Sequence, residues 1–316
     1  MKKGFSHIVN LVQEQENKAL WEIQQITLKS FENAVKESES EIAVEHIAVM
    51  SPDVTHAPEG FRGKVVSLDR TVADVHDFER KRRLPVISDI LEKGSAVAEH
   101  EYLIFSNTDI ALMPVFYKAV SYYLDQGHDA LIINRRRIPA KLMNAPIEVM
   151  YAHAGYPHIG YDCFVFKKSL LKKFITTGIC IGVPPAGNDL FYNIFTFAEN
   201  PALLANQHMT FHIGMDLYKE WGSEEYLKYN YSEFSQLLKV LYPHMKVEKF
   251  PGAGLPLLTR HFRWLMNPTY DYRTMLRLDL SQLKRKREAI PPKEIQNAHH
   301  RYLEWLITKI NFREKD

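Results

Sequence analysis

Four short stretches combine residue types that could bind a charged ligand, and each borders an apolar run. They are Asn107-Thr108-Asp109 within EYLIFSNTDIALMP, Asp53 after VEHIAVMSP, His212 near the end of ANQHMTFHIG, and Asn188-Asp189 before LFYNIF. Carboxylate and amide oxygens bind Mg²⁺ or Mn²⁺, and imidazole is acceptable to Mn²⁺. The same residue types also cap helices and close turns, so no single stretch is specific.

The elements around these stretches predict a parallel sheet. Strand-like runs occupy His7–Val12, Val44–Ser51, Lys64–Asp69, Glu101–Ser106 and Ala130–Asn134. Helical segments separate most of them, for example NKALWEIQQITLKSFENAVKES and PVFYKAVSYYLDQG. Strands that alternate with helices are typical of α/β folds. Ligands bind such sheets beyond the carboxyl ends of the strands, where Asp53 and the 107–109 triplet are predicted to lie.

The second part of the sequence is less regular. It contains a strand YDCFVF, a basic helix KKSLLKKF, a Gly/Pro loop that opens a helix at GNDLFYNI, and a strand ending at His212. From about Met215 the chain is rich in Tyr, Trp, Lys and Arg and is predicted to be mainly helical. We therefore expect an α/β domain over residues 1–214 and a helical C-terminal extension over residues 215–316.

Composition narrows the class of protein. The chain has 316 residues, 46% of them hydrophobic and 25% charged, which is ordinary for a globular protein. A formal net charge of +2 gives no reason to expect a nucleic-acid partner. The cysteines Cys163 and Cys180 are expected to be buried, reduced thiols. Without a signal-like or membrane-spanning apolar run, a cytoplasmic location is expected, with any membrane contact made from the inner surface as a peripheral protein.

Taken in order, the motifs resemble a known family. The strand ending in FSNTDI, then GYDCFVFKKSLLKKF, GNDLFYNI and FHIG, resemble the nucleotide-sugar glycosyltransferases of GT-A fold, most closely the inverting family 2-like group. The resemblance covers roughly Phe5 to Gly214 and implies a Rossmann-type, mostly parallel sheet flanked by helices. Two positions depart from the family pattern. Asn107 stands where the first Asp of D-x-D is usual, and Asn188 stands where a Glu is usual.

The resemblance also implies an activity and its residues. It implies transfer of a sugar, with inversion, from a nucleoside diphosphate donor to a glycan or lipid-linked acceptor, with Asp189 as general base. Asp109 and His212 would bind a divalent cation, Mn²⁺ or Mg²⁺. The donor would be held by Asp53, Arg82, Arg83, Asn107, Thr108 and Asp109. Guanidinium groups such as those of Arg82 and Arg83 suit a diphosphate, although the run ERKRR also reads as a solvated surface.

Other interpretations stay open at this point. Asp189 could simply cap a helix, and Arg135-Arg136-Arg137 could face either a phosphate or solvent. Asn107 and Asn188 are compatible with a degenerate GT-A domain that binds a nucleotide or glycan as a scaffold. A nucleotidyltransferase is disfavoured, because HIVNLVQEQEN lacks the glycines of a phosphate loop. The basic and aromatic C-terminal region suits a membrane surface, a homo-oligomer interface or a cap over the site.

Overall fold

The computed structural model describes residues 2–52, 54, 56–158, 160–214 and 224–288, with side chains up to residue 285. Its strands are β1 (Lys3–Asn10), β2 (Ile42–Met50), β3 (Lys64–Ser67), β4 (Tyr102–Ser106), β5 (Ala111–Leu112), β6 (Ala130–Ile133), β7 (Arg136–Ile138), β8 (Tyr156–Pro157), β9 (Cys163–Lys167), β10 (Pro201–Leu204) and β11 (Thr210–Ile213). Its helices are α1 (Lys18–Ser38), α2 (Val72–Val75), α3 (Ile87–Val97), α4 (Phe116–Asp125), α5 (Ile147–Ala152), α6 (Lys168–Leu171), α7 (Asn188–Phe197), α8 (Glu224–Leu241), α9 (Leu257–Met266) and α10 (Tyr272–Glu288).

The main sheet has seven strands in the order β10-β6-β9-β4-β1-β2-β3. All neighbouring pairs are parallel except those of β9, which runs antiparallel to both β4 and β6. The chain adds β2 and β3 on one side of β1 and then places β4 on the other side. This reversal is the position at which open α/β sheets bind ligands. The predicted α/β class, a mostly parallel sheet flanked by helices, is confirmed.

A second, smaller sheet has the order β5-β11-β7-β8. Strand β11 is antiparallel to β5 and parallel to β7, and β7 is antiparallel to β8. Strand β5 begins two residues after Asp109, so the small sheet continues directly from the predicted ligand-binding triplet. Of these four strands, the sequence had predicted only β11.

The core lies on both faces of the main sheet. Because side chains alternate along a strand, Leu103 and Phe105 of β4 point to one face and Ile104 to the other. Helices α1 and α4 cover the Ile104 face, whereas α3 and α7 cover the opposite face. The result is a three-layer arrangement in which the sheet is buried on both sides.

The helices after residue 224 pack on the α7 side of the sheet. Phe234 of α8 and Trp264 of α9 belong to the same hydrophobic cluster as Phe191 of α7. The indole Nε1 of Trp264 donates to the carbonyl of Pro251 at 2.9 Å, which satisfies the polar atom of this buried side chain. None of the helices in the described ranges has the length and apolar character needed to cross a bilayer.

The two cysteines are buried and free, as predicted. Burial raises the pKa of the Cys180 thiol to about 12. Both thiols are therefore protonated at neutral pH, and neither has the thiolate character of a nucleophile.

A chain of buried polar groups crosses the face of the sheet under α4. His7 of β1 contacts the Tyr117 hydroxyl through Nδ1 at 2.9 Å and Ser106 Oγ through Nε2 at 2.9 Å. His46 of β2 contacts the same Tyr117 hydroxyl through Nε2 at 3.0 Å. Burial lowers the pKa of His46 to about 4. Burial, together with the charge of His46, lowers the pKa of His7 well below its usual range. Both imidazoles are thus held neutral in the folded protein.

This network makes the fold sensitive to acid. The unfolded chain takes up protons on both histidines as pH falls below about 6.5, whereas the folded chain resists until about pH 4. The free energy of unfolding should therefore decrease between these pH values, by about 1.4 kcal/mol per pH unit for each histidine. Urea unfolding at several pH values measures this slope. His46→Gln should remove one histidine's share of this slope, and a slope equal to that of the unchanged protein would contradict the assignment.

Candidate functional site

Charged and amide side chains from three segments meet at the carboxyl edge of the main sheet. Asn107 and Asp109 follow β4, and Arg135 follows β6. Asp162 precedes β9, and because β9 is antiparallel its first residue, Cys163, pairs with Ser106 at the end of β4 and with Ile133 at the end of β6. The start of β9 therefore lies between two strand ends.

Asp109 and His212 are brought together by the small sheet. His212 Nε2 lies 3.0 Å from Asp109 Oδ2, and the histidine side chain is fully buried. Burial alone would raise the pKa of Asp109, but the charge of His212, their hydrogen bond and nearby Arg135 outweigh it and lower this pKa to about 2. Asp109 is consequently an anion throughout the neutral range.

The Asp109–His212 pair fits a divalent cation that has few protein ligands. Two ligands at about 2.1 Å in adjacent octahedral positions lie about 3.0 Å apart, which is the separation of Oδ2 and Nε2; a cation bound here would replace the proton of their hydrogen bond. Within the described residues, no group of three or more His, Cys, Asp or Glu side chains could hold a metal. A cation here would complete its shell with water and substrate oxygens, as Mg²⁺ usually does.

A second buried ion pair lies beside the first. Arg135 Nη1 contacts Asp162 Oδ1 at 2.7 Å, and both side chains are almost completely buried. From the sequence, Arg135 could face either a phosphate or solvent. In the structure its side chain is buried. Asp162 was missed by sequence reasoning. Its only signal is a polar residue directly before an apolar strand, which gives no indication that the strand runs antiparallel.

Asn107 contributes an amide that a carboxylate could not replace. Its backbone N–H donates to the Asp162 carbonyl, and its Nδ2 donates to Asp162 Oδ1, each at 3.3 Å. An aspartate at position 107 would bring a second negative charge against Asp162. The departure from D-x-D therefore has a local structural reason, because Asn107 and Asp162 form one hydrogen-bonded unit.

Thr108 lies on the buried side of the triplet. Its hydroxyl donates to Gln24 Oε1 at 2.8 Å, and Gln24 is hydrogen-bonded through both amide atoms to the backbone of Val12. Thr108 thus fixes the triplet to the loop after β1. To donate to a phosphate oxygen of a bound nucleotide, this hydroxyl would have to leave Gln24.

The two predicted arginines lie in different places. Arg83 Nη2 is 3.5 Å from the carbonyl oxygen of Pro52, beyond the end of β2 at the carboxyl edge. The guanidinium of Arg82 lies 5.9 Å from the ring centroid of Tyr226 in α8, and its backbone N–H donates to the Tyr226 hydroxyl at 2.7 Å. Asp53 lies outside the described residues.

Asp189 lies in the first turn of α7, and its carboxyl is half-buried. The N-cap of this helix is Gly187, so the predicted capping position is not held by Asp189. Asp189 Oδ1 is buried, with no hydrogen-bond partner among the described residues. Burial raises the pKa of Asp189 to about 6, although the amide groups at the start of the helix oppose this shift. Such a carboxylate is a stronger base than an exposed one and is still ionised at neutral pH.

Gly187 brings the start of α7 close to the residues before β9. Its φ of +84° suits glycine, and a Cβ at this position would lie 2.4 Å from the carbonyl oxygen of Tyr161. The start of α7 therefore packs directly on the backbone next to Asp162. This close approach connects the helix that carries Asp189 with the edge that carries the two ion pairs.

No protein-family model matches the sequence, and no curated protein matches it. Similar solved structures include residues 1–349 of S. aureus TarS in complex with UDP-GlcNAc, with 15% identity, coverage of 84% of this chain and 73% of that chain, and a TM-score of 0.49. Another is glucosyl-3-phosphoglycerate synthase from Mycobacterium tuberculosis in complex with Mn²⁺, UDP and phosphoglyceric acid, with 14% identity, coverage of 74% and 78%, and a TM-score of 0.40. Sequence identities and TM-scores this low carry no argument about function, so the function has to be inferred from the side chains of this chain.

The packing of Gly187 predicts a sharp effect of a single methyl group. Gly187→Ala should lower the free energy of unfolding by about 2–4 kcal/mol, because it adds a backbone clash to the strain of a left-handed residue. Gly127→Ala is the matched control, since Gly127 has φ +91° but open space around its Cβ position. It should cost only about 1–2 kcal/mol. Urea unfolding of both variants gives the comparison, and equal losses would contradict the close approach of Gly187 to Tyr161.

Proposed function

We propose that the protein transfers a sugar from a nucleoside diphosphate donor to a hydroxyl group of a glycan or lipid-linked acceptor. The observation that carries this proposal is the half-buried Asp189, with a pKa raised to about 6, on a helix packed against a cluster of buried ion pairs. This transfer needs positive groups at fixed positions and a carboxylate with a raised pKa. The cations hold the diphosphate, and the carboxylate takes the proton of the attacking hydroxyl.

Asp189 serves as the general base in this proposal. The acceptor hydroxyl is too weak an acid to attack alone, so Asp189 removes its proton as the oxygen approaches the anomeric carbon. The new carbon–oxygen bond forms while the bond to the diphosphate oxygen breaks, and the electron pair leaves with the diphosphate. Direct attack from the face opposite the leaving group inverts the anomeric configuration.

The leaving diphosphate is held at the Asp109–His212 corner. A Mn²⁺ or Mg²⁺ ion bound by these two residues would neutralise the negative charge that grows on the diphosphate. Arg135 adds a positive charge near Asp109, and Asp162 holds this guanidinium in place. Because the Arg135–Asp162 pair is preformed and buried, little reorganisation of this guanidinium is required when the charge develops.

Donor recognition is assigned to the ends of β2 and β4. Arg83 beside Pro52 is proposed to pair with the diphosphate, and Asn107 to contact the ribose or a bound water. Asp53 is proposed to contact the nucleoside. Arg82, which lies over Tyr226 of α8, and Thr108, which is bonded to Gln24, are proposed to orient these groups indirectly.

The alternative is a domain that binds a nucleotide or glycan without catalysis. In the sequence, Asn107 was compatible with this alternative. The hydrogen bonds of Asn107 to Asp162 give a structural reason for an amide at this position that does not depend on a loss of activity. Asn188 is buried at the start of α7 beside Asp189. The two experiments below separate these functions.

Asp189→Asn is the direct test of the proposed base. Transfer should fall by about 10²–10⁴-fold, because the amide cannot accept the proton. In the unchanged protein the rate should rise tenfold per pH unit below about pH 6 and level off above it, since only ionised Asp189 is active. Rates measured by release of the nucleoside diphosphate between pH 5 and about pH 8 provide both readings.

Two controls accompany this test. Asp125→Asn removes an exposed carboxylate that pairs with Lys3 and should leave the rate unchanged. The stabilisation of Asp189→Asn by nucleotide should equal that of the unchanged protein. A parallel loss of transfer and nucleotide binding would instead assign Asp189 a structural role.

Nucleotide binding is tested by thermal unfolding with UDP, GDP, CDP or dTDP, with and without Mn²⁺. At least one nucleotide at about 100 times its Kd should stabilise the protein by about 2.7 kcal/mol, which raises the Tm by several degrees. Asp109→Ala should remove the additional effect of Mn²⁺. If no nucleotide shifts the Tm, the transferase proposal is wrong; binding without transfer would support the scaffold.

A further inference from the structure

Helix α9 has an apolar face that is exposed among the residues that the structure describes. Leu258, Phe262, Leu265 and Met266 follow at positions i, i+4, i+7 and i+8, so they share one side of the helix. Leu258 is 84% exposed and Phe262 is 65% exposed, and Leu265 and Met266 are exposed as well. Contiguous exposed apolar residues of this kind mark an interaction site more often than scattered ones do.

The opposite side of α9 is firmly held by the protein. Arg260 contacts both carboxylate oxygens of Asp279 in α10, at 2.7 Å and 2.6 Å from Nη2, and His261 Nε2 lies 2.8 Å from Asp279 Oδ2. Trp264 is completely buried between them and the core. Because the inner side is packed and its charges are paired, α9 cannot rotate to bury the exposed apolar face.

The two helices α9 and α10 are basic in sequence. Between Leu257 and Arg285 the sequence has six Lys and Arg residues and two acidic residues. Of the acidic pair, Asp279 is buried in its ion pairs and Asp271 accepts a hydrogen bond from the Thr274 N–H at 2.8 Å. Arg263, Arg273, Arg277 and Arg285 are exposed. In α10, Arg273, Arg277 and Leu280 follow at i, i+4 and i+7 and share one exposed face.

We propose that the α9–α10 surface, defined as Leu258, Phe262, Leu265 and Met266 with Arg263, Arg273 and Arg277, binds the surface of an anionic lipid bilayer. Apolar side chains on one side of a short helix enter the headgroup region, while neighbouring cations contact lipid phosphates. The protein would thus lie on the membrane without crossing it. Vesicle binding does not depend on sugar transfer, so this inference and the proposed activity can fail separately.

Charge favours a lipid surface over the other candidate partners. In a symmetric contact with a second copy, the same basic patch would face itself, and like charges would repel. Residues 289–316 contain five Lys and Arg against four acidic residues, so their net charge is not opposite to that of the patch. An anionic bilayer provides both an apolar interior and a complementary charge.

The test is co-sedimentation of the full chain with vesicles of phosphatidylcholine alone or with about one third phosphatidylglycerol. The chain should bind the anionic vesicles and not the neutral ones, and added salt should weaken binding. Phe262→Glu should reduce binding at least about tenfold, because it places a charge among the inserting side chains. Arg273→Gln and Arg277→Gln should each reduce it about fivefold.

Val240→Glu is the matched control. Val240 of α8 is 53% exposed, and the variant makes the same change in charge as Phe262→Glu but lies outside the α9–α10 surface. It should bind anionic vesicles like the unchanged protein, and thermal unfolding confirms that each variant folds. Absence of vesicle binding, equal binding to neutral vesicles, or full binding by Phe262→Glu would overturn the proposal. A dimer that Phe262→Glu dissociates, without vesicle binding, would assign the surface to a second copy.

Discussion

Strand β9 lies between β4 and β6 and runs against both, so its first residues reach the edge at which the parallel strands end. Asp162, directly before β9, therefore meets Asn107 after β4 and Arg135 after β6. If β9 were parallel, Lys167 would occupy this edge instead. The direction of one strand thus determines the charge at the centre of the site, and the start of α7 packs against the backbone just before this strand.

Burial makes these charges interdependent. Arg135 and Asp162 are almost inaccessible to water, so removing either one would leave the other with an unpaired buried charge. Asp109 and His212 form a comparable pair in which the carboxylate is still partly exposed. The Arg135–Asp162 and Asp109–His212 pairs together add little net charge, yet the positive group of each pair has a fixed position. A site of this kind can meet an incoming anion without rearranging, which suits a reaction in which negative charge moves onto the leaving group.

Much of the main sheet could be predicted from the sequence, because β1, β2 and β4 are apolar runs separated by clear helices. Strands β5, β7, β8 and β10 have two to four residues each and carry no pattern of their own. Their pairing depends on distant segments, which local residue patterns do not encode. Asp109, His212 and Asp189 were predicted as site residues from the order of motifs, and the structure brings Asp109 and His212 together. Asp162 was missed, because the orientation of β9 is a property of the whole sheet. Thr108 was predicted to bind the donor, and nothing in its sequence context indicates that its hydroxyl is bonded to Gln24.

The hydrogen bonds between Asn107 and Asp162 have a consequence for how such sequences can diverge. A carboxylate gained at position 107 is tolerated most easily where position 162 has already lost its own, because the two side chains share one short contact. The two positions are therefore coupled through their charges and hydrogen bonds, although 54 residues lie between them in the chain. If both positions change together, the triplet after β4 can lose the first Asp of D-x-D while the number of negative charges at the edge stays the same.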